Sequence, residues 1–115
     1  MDERLTKALD ASKLRHTHNI EKRRLQEKLK VQLTVPFGGG RFAVTPDLIS
    51  FVHYLTTTEQ WDHVLLDDNS TPILVKNIGE FQKLLTSTYQ EATGQYYQDF
   101  ETLRKKRSIK DIVNL

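Results

Sequence analysis

The sequence contains no cysteine, and that absence excludes several kinds of chemistry at once. Without a thiol the chain has no disulfide, no thiolate nucleophile and no cysteine ligand for zinc or an iron–sulfur cluster. Long apolar runs are lacking too, since none approaches the roughly 18–20 residues that cross a bilayer. The first residues, MDERLTKALD, lack the apolar segment of a signal peptide. We therefore expect a protein that is neither secreted nor membrane-bound.

The chain also has little apolar material from which to build a core. Apolar residues make up 37% of the 115 positions. Counting the five glycines raises the share to about 41%, below the roughly 45–50% of globular domains counted the same way. A thin core leaves little volume for a substrate cavity, and no Ser/His/Asp set or carboxylate pair falls in a convincing pocket. We therefore expect no enzyme, no cofactor and no small-molecule substrate.

Charge is distributed unevenly, although the formal net charge is only +2. Residues 1–30 carry nine basic and five acidic residues, residues 31–101 carry three and nine, and residues 102–115 carry five and one. The chain is therefore basic, then acidic, then basic. This pattern favours attraction between copies or to an acidic partner, and a solvated charged surface is the alternative.

A long first helix is predicted over residues 2–33, which contain no proline or glycine and many good helix formers. Such a helix is about 45–50 Å long at ~1.5 Å per residue. Its apolar stripe is poor, because leucines cluster only near its two ends and few apolar residues lie between them. So polar a helix cannot be held by a large core, and it needs a partner helix from its own chain or from another copy.

A break follows at residues 34–40, TVPFGGG, because Pro36 cannot continue a helix. We predict a flexible turn and a mobile hinge at Gly38–Gly40, followed by a short strand or extended arm at residues 41–44. A phosphate-binding loop is the alternative for the three glycines. The loop lacks the Lys-Ser/Thr ending of that motif, so the hinge is favoured.

The middle of the chain predicts a second helix and a β-hairpin. Thr45 and Pro46 form a helix start, and apolar residues at i, i+3, i+4 and i+7 predict a helix over residues 46–57. Two β-favouring runs, residues 61–66 and 73–75, flank an Asp/Asn/Ser/Pro turn and predict the hairpin. Because a two-stranded ribbon alone is marginal in water, we expect the second or third helix to cover it.

A third, long helix is predicted over residues 78–106, capped by Asn77. Apolar residues recur along it every three or four positions, as expected of one helix face. They are Ile78, Phe81, Leu85, Tyr89, Ala92, Tyr96, Phe100 and Leu103. Gly94 lies inside this helix, where it costs about 1 kcal/mol against alanine and allows the close approach of another helix. Ser108 is predicted to cap a separate last turn over residues 109–113.

Together these elements predict an α+β fold that is mainly α. Two long helices form an antiparallel helical hairpin, accompanied by a short middle helix and a small β-hairpin. We divide the chain into a long N-terminal helix, residues 1–35, and a small α/β module that includes the long C-terminal helix, residues 36–115.

Two patterns suggest metal sites. His53, Asp62 and His63 are a conceivable zinc set, but no ligand motif supports it, and surface histidines are favoured. The acidic run from Asp67 resembles half of a calcium loop, but its sixth position is Pro72 where such a loop requires glycine. A hairpin turn is the better interpretation of this run.

Two stretches of the sequence carry a resemblance to a known group of proteins. One is residues 64–73, VLLDDNSTPI, with residues 78–81, IGEF; the other is residues 96–108, YYQDFETLRKKRS. They resemble small structural or assembly proteins of contractile-tailed bacteriophages of the T-even type, including cyanobacterial phages. The resemblance lies within residues 64–113. It implies a role in building the phage particle, in the tail, the baseplate or an accessory complex, and it transfers no catalytic residue.

We therefore expect a non-enzymatic assembly or adaptor protein that presents helices to a protein partner or to a second copy, as coiled coils do. Its place would be the host cytoplasm during assembly, or the virion. The predicted partner-binding residues lie on the weak stripe of the first helix and at the basic end of the last one. They are Leu14, Leu25, Leu29, Arg104, Lys105 and Arg107.

The alternative function is a nucleic-acid-binding accessory protein. The basic run 104–107 lies a few turns after Tyr96, Tyr97 and Phe100, and basic clusters beside aromatic residues bind phosphates and stack on bases. Since Tyr96 and Phe100 fit the apolar stripe of the third helix, packing is the other explanation for these two rings.

Overall fold

The chain is mainly helical, with two short β-hairpins between its long helices. A computed structural model describes the backbone of residues 2–113 and the side chains of residues 2–106. The elements are α1 (Glu3–Gln32), β1 (Thr34–Phe37), β2 (Gly40–Ala43), α2 (Pro46–Thr57), β3 (His63–Leu66), β4 (Pro72–Val75) and α3 (Ile78–Val113). The predicted α+β class is confirmed, and all three helices are close to their predicted positions.

The chain separates into two compact units. One contains residues Leu29–Gly94, and the other contains α1 up to Lys28 together with α3 from Gln95. These boundaries differ from the predicted division at residue 35, which falls inside β1. We call the first the mixed unit, because it holds both hairpins and α2, and the second the helical unit.

The first hairpin along the chain, formed by β1 and β2, replaces the predicted flexible hinge. Val35 pairs with Phe42, and Phe37 with Gly40, in an antiparallel register. Gly38 and Gly39 make the two-residue turn with φ values of 60° and 88°, as a type I′ hairpin turn requires. The prediction of a mobile hinge was therefore wrong: the glycines supply the left-handed conformations of a tight turn.

Pro36 lies within β1 without interrupting its pairing. Val44 donates its N–H to Leu33 O at 2.6 Å, and hydrogen-bonded pairs alternate along an antiparallel ladder. The backbone N of Pro36, which carries no hydrogen, therefore points away from β2, and no ladder bond is lost. This position explains why a proline that ends a helix can still belong to a strand.

Helix α2 begins as its sequence predicts. Thr45 has extended backbone angles, and its Oγ1 accepts a hydrogen bond from Leu48 N at 3.1 Å. Val52 and Leu55 are buried, but Phe51, which was expected on the same apolar face, is exposed. Its ring lies 6.0 Å from the ring of His63.

Strands β3 and β4 form the predicted hairpin, which is the second along the chain, and the loop Asp67–Thr71 connects them. Helix α3 then begins at Asn77, whose Oδ1 accepts a hydrogen bond from Glu80 N at 3.1 Å. The Asn77 side chain also donates to the Glu80 carboxylate at 3.3 Å. The bond from Glu80 N confirms Asn77 as the cap of the third helix.

The core lies in the mixed unit and draws on both hairpins, α2 and the start of α3. Its buried members are Val35, Phe42, Val44, Val52, Leu55, Leu65, Val75, Ile78, Phe81 and Leu85. Phe81 is fully buried, with its ring centroid 4.7 Å from that of Phe37 and 5.0 Å from that of Phe42. The expectation that helices cover the second hairpin is therefore confirmed.

Helix α3 is longer than predicted. It continues without interruption to Val113, so the separate last turn expected after Ser108 is absent from the described backbone. The apolar stripe is confirmed, since its eight members are all buried or half-buried. Gly94 has open space around it, because a Cβ placed there would meet no described atom within 4 Å. The close approach of another helix at Gly94 is therefore not present in the structure.

Candidate protein-interaction surfaces

The second hairpin presents apolar side chains on both of its faces. One set, which includes Leu65 and Val75, packs into the core of the mixed unit. The alternate set faces outward and comprises Val64, Leu66, Pro72 and Leu74, which we call the outer hairpin face. Val64, Leu66 and Leu74 are 53%, 64% and 53% exposed. Because an antiparallel sheet usually turns polar residues to water, this face is unusual.

Cross-strand pairing brings these outward residues together. Val64 lies opposite Leu74, and Leu66 lies opposite Pro72. Directly opposed residues have Cβ atoms about 4.5–5.5 Å apart, so the two pairs form one continuous patch rather than scattered contacts.

The outer edges of the two hairpins are largely closed to strand addition. Pro36 blocks the outer edge of β1, and Pro72 blocks that of β4. The nitrogen of each proline faces away from the partner strand and has no hydrogen to donate to an added strand. At β2, Asp68 closes the edge: its N–H donates to Arg41 O at 2.9 Å, and its Oδ1 accepts from Ala43 N at 2.8 Å. The Asp68 side chain thus occupies the position of a neighbouring strand.

The edge of β3 is partly closed by a histidine. His63 Nδ1 lies 2.8 Å from Val64 O, and it caps this carbonyl when that nitrogen carries the proton. With the edges occupied in this way, the accessible part of the second hairpin is its face.

The segments that border this face along the chain are acidic. Residues 59–72 contain four acidic residues and no lysine or arginine. Three of these four, Glu59, Asp62 and Asp68, are exposed. Lys76 follows β4, and Arg41 Nε lies 3.8 Å from Asp68 Oδ2, so the negative charge of these segments is partly balanced.

The fourth acidic residue, Asp67, organises the loop between β3 and β4. Its Oδ1 accepts hydrogen bonds from the backbone N–H groups of Thr71 and Asn69, each at 2.9 Å, and its Oδ2 accepts one from Arg41 N at 3.4 Å. These bonds, with that of Thr71 the strongest, lower the pKa of Asp67 although desolvation opposes them. The acidic run is therefore a structured hairpin turn.

The first hairpin turn packs closely on the second hairpin. A Cβ added to Gly40 would lie 2.7 Å from Ile73 Cγ1 and 3.2 Å from Asp67 Cβ. Because Gly40 is buried against these atoms, a larger side chain has no room at this position.

In the helical unit, α1 has one half-buried line of residues. The line follows spacings of three and four, as in a coiled coil. It comprises Ala11, Leu14, His18, Glu21 and Leu25. No side chain of Glu3–Gln32 is buried, which confirms that no large core holds this helix. Of the predicted contact residues, Leu14 and Leu25 lie on this line.

Helix α3 contributes a more apolar line to the helical unit. Leu103 is buried, while Tyr96, Asp99 and Phe100 are half-buried. Lys28 Nζ of α1 lies 3.0 Å from Asp99 Oδ2, and Gln95 donates to Asp99 Oδ1 at 2.9 Å. The hydrogen bond from Lys28, followed by that from Gln95, lowers the pKa of Asp99.

A further set of apolar residues on α1 is exposed. Leu5, Leu9 and Ile20 are 51%, 45% and 44% exposed, and we call them the exposed α1 face. Spacings of four and eleven residues place them on one side of the helix, roughly opposite the half-buried line, at ~100° per residue.

The structure describes the side chains of two of the three predicted contact residues at the end of α3. Arg104 and Lys105 are exposed, and Arg104 pairs with Glu101 at 3.0 Å and lies 5.4 Å from the centre of the Phe100 ring. The side chain of Arg107 lies outside the described residues. The third predicted leucine, Leu29, is half-buried at the start of the mixed unit.

The histidines of the conceivable zinc set have other contacts. His53 Nδ1 lies 2.7 Å from Gln82 Nε2, and His63 Nδ1 contacts Val64 O. Among the described residues, no three His, Asp or Glu side chains are grouped as metal ligands. Within the same described part of the chain, no helix combines the length and the apolar character needed to cross a membrane.

The chain matches no protein-family model, no curated protein and no solved structure. The sequence predicted the second hairpin and a helix covering it, but it did not indicate an apolar face left exposed on the other side.

Proposed function

We propose that this chain is a non-enzymatic assembly or adaptor protein that acts through helix-mediated protein contacts. The observation that carries the proposal is α1: thirty residues of continuous helix without a single buried side chain. Most helical stability in proteins comes from packing an apolar face, and little of α1 is packed in the isolated chain. A partner that covers this helix would supply the missing contacts.

The proposed arrangement of the helical unit is an antiparallel helical hairpin. The ion pair between Lys28 and Asp99 supports it, because it joins the end of the α1 segment to the start of the α3 segment of this unit. The half-buried positions of both helices recur every three or four residues, which suits side-by-side packing. Distances between spin labels at exposed positions 13 and 106 would test this arrangement, and a separation much greater than the width of two helices would contradict it.

The resemblance to T-even phage proteins supports a role in building a phage particle, as a tail or baseplate component or as an assembly factor. The proposed place of action is accordingly the host cytoplasm during assembly, or the virion. The proposed contacts are the six predicted residues, of which Leu14, Leu25 and Leu29 meet a helix of this chain or of another copy, and the basic end of α3 meets an acidic partner.

The test is capture of a protein partner from the native source with the full chain as bait. Cross-linking before lysis and nuclease treatment afterwards separate protein contacts from contacts made through nucleic acid. We expect a partner in near-stoichiometric yield, and at least a fivefold loss with Lys105→Glu plus Lys106→Glu. Lys83→Glu, an exposed change elsewhere on α3, is the matched control. No protein above the level of an unrelated bait would refute the proposal.

The second candidate function is nucleic-acid binding, and one exposed aromatic residue favours it. Tyr97 is 67% exposed, unlike Tyr96 and Phe100 on the same helix, and the exposed Lys105 and Lys106 lie two turns further on. An exposed ring beside basic side chains is suited to stacking on a base with phosphates nearby.

A gel shift with single-stranded and duplex DNA at low and moderate salt tests this candidate. Binding should weaken as salt rises, and it should fall about tenfold for Lys105→Glu plus Lys106→Glu, because each phosphate contact releases counterions. Tyr97→Ala should weaken binding to single strands more than to duplex. No shift at low salt removes the candidate.

A further inference from the structure

We propose that the outer hairpin face binds the exposed α1 face of a second copy of this chain. The contact joins two different surfaces, so each copy offers one of each kind. This inference rests on the proposed assembly function and adds to it a partner and a pair of faces.

Both surfaces are uncovered in the single chain. Val64, Leu66 and Leu74 remain more than half exposed although the opposite side of their hairpin is buried in the core. Leu5, Leu9 and Ile20 are similarly exposed on α1. Two apolar surfaces on one chain, each left in water, reduce their contact with water when copies meet.

The closed strand edges indicate what kind of element the hairpin accepts. Pro36, Pro72 and the Asp68 side chain occupy outer strand edges, so an added strand would find few unpaired backbone groups. The outward side chains remain accessible. A helix, which makes its contacts through side chains and needs no backbone pairing, is the occupant that suits such a face.

Charge identifies which helix this is. The segment 59–76, which contains the whole hairpin, has four acidic residues and one lysine, Lys76, whereas the first 28 residues carry eight basic and five acidic residues. Lys13 lies four residues after Leu9, and Arg24 lies four residues after Ile20, so these cations flank the exposed α1 face. The two surfaces are therefore complementary in charge as well as apolar.

Because the contact joins unlike faces, it makes a distinctive prediction for mixtures. A hairpin variant, Val64→Lys plus Leu74→Lys, keeps its α1 face but puts positive charge on its hairpin. A helix variant, Leu9→Glu plus Ile20→Glu, keeps its hairpin but puts negative charge on α1. In a solution of either variant alone, one of the two surfaces needed for every contact is altered. In a mixture, the unaltered α1 face of the hairpin variant can bind the unaltered hairpin face of the helix variant.

The experiment measures the mass of the full-length chain by light scattering after size exclusion, between 5 and 200 µM and at low and high salt. We expect the wild type to exceed its single-chain mass of 13.4 kDa, with association weakened at least fivefold by high salt. Each variant should be monomeric, and their equimolar mixture should form a complex of two chains. The control, Tyr54→Lys, changes another exposed apolar residue and should associate as the wild type does.

Circular dichroism and the fluorescence of Trp61 establish that each variant is folded. A wild type that stays monomeric at 200 µM refutes the contact, and so does a mixture that fails to recover the complex. If one variant still self-associates, the contact joins like faces and the proposal is wrong. A monomeric wild type would leave the assembly function standing, because capture of a different protein partner tests that function separately.

Discussion

Replacing Gly40 by alanine should destabilise the mixed unit because the added methyl group has no room. Its Cβ would lie 2.7 Å from Ile73 Cγ1, 3.0 Å from Ile73 Cδ1 and 3.2 Å from Asp67 Cβ. Cγ1 is not the free end of the side chain, so Ile73 cannot avoid the clash by moving its tip alone. Either the isoleucine takes a poorer rotamer or the two hairpins move apart.

The magnitude follows from two opposing effects. Overpacking a core site typically costs about 1–3 kcal/mol, and the smaller freedom of alanine in the unfolded chain returns about 0.4–1 kcal/mol. We therefore expect Gly40→Ala to lower the free energy of unfolding by about 1–2 kcal/mol. Gly94→Ala is the matched control, since a Cβ there meets no described atom within 4 Å, and it should stabilise α3 by about 0.5–1 kcal/mol.

The assay is urea unfolding followed by Trp61, the single tryptophan of the chain, which belongs to the mixed unit. Ile73→Ala provides the decisive comparison, because it removes both isoleucine atoms nearest the new methyl group. In that background only the 3.2 Å approach to Asp67 Cβ remains, so Gly40→Ala should cost about 1 kcal/mol less than in the wild type, which is the coupling between the two sites. An equal cost of Gly40→Ala in both backgrounds would refute the packing explanation.

Three further changes test other parts of the structure. Phe81→Ala should cost about 3–5 kcal/mol by the same unfolding assay, since a fully buried ring is removed, and a cost below about 1 kcal/mol would contradict its central place in the core. Asp67→Asn should destabilise the fold at neutral pH. The folded pKa of Asp67 lies below its ordinary 3.8, so the stabilisation is present above that pH and is lost as the pH falls through the folded pKa. The difference between variant and wild type should therefore shrink in acid, and a constant difference would show that the charge is unimportant. Lys28→Ala should raise the pKa of Asp99 towards 3.8, measured by NMR titration, and an unchanged value would contradict the ion pair.

The helices were predictable because their signals are local. Thr45 and Pro46 start α2, and Asn77 starts α3, through bonds to backbone groups within three residues. For α1, the lack of proline and glycine over residues 2–33 was sufficient to predict one continuous helix. The end of α3 was less certain, because Ser108 favours a cap by its residue type alone, and the described backbone continues helically past it.

The first hairpin was not predicted, because each of its key residues is compatible with two different local structures. Pro36 ends helices, and it also fits a strand wherever its nitrogen faces outward. That condition depends on the register with β2, which no residue of β1 shows by itself. Gly38 and Gly39 indicate flexibility when considered alone, but between two β-favouring segments they indicate a type I′ turn. Residues 41–44 were predicted as a short strand or extended arm, but the sequence did not identify residues 34–37 as its partner strand.

The outer hairpin face could not be predicted for a different physical reason. Alternation along a strand identifies the buried side only when the two sets of side chains differ in polarity. In the second hairpin both sets are apolar, so either side would have suited the core. The choice is made by tertiary contacts: Leu65 and Val75 meet the residues of α2 and α3, which leaves Val64 and Leu74 in water. An apolar side left over in this way lowers solubility without stabilising the single chain. Its presence is accounted for if a second surface covers it, and the mixture of variants tests that explanation directly.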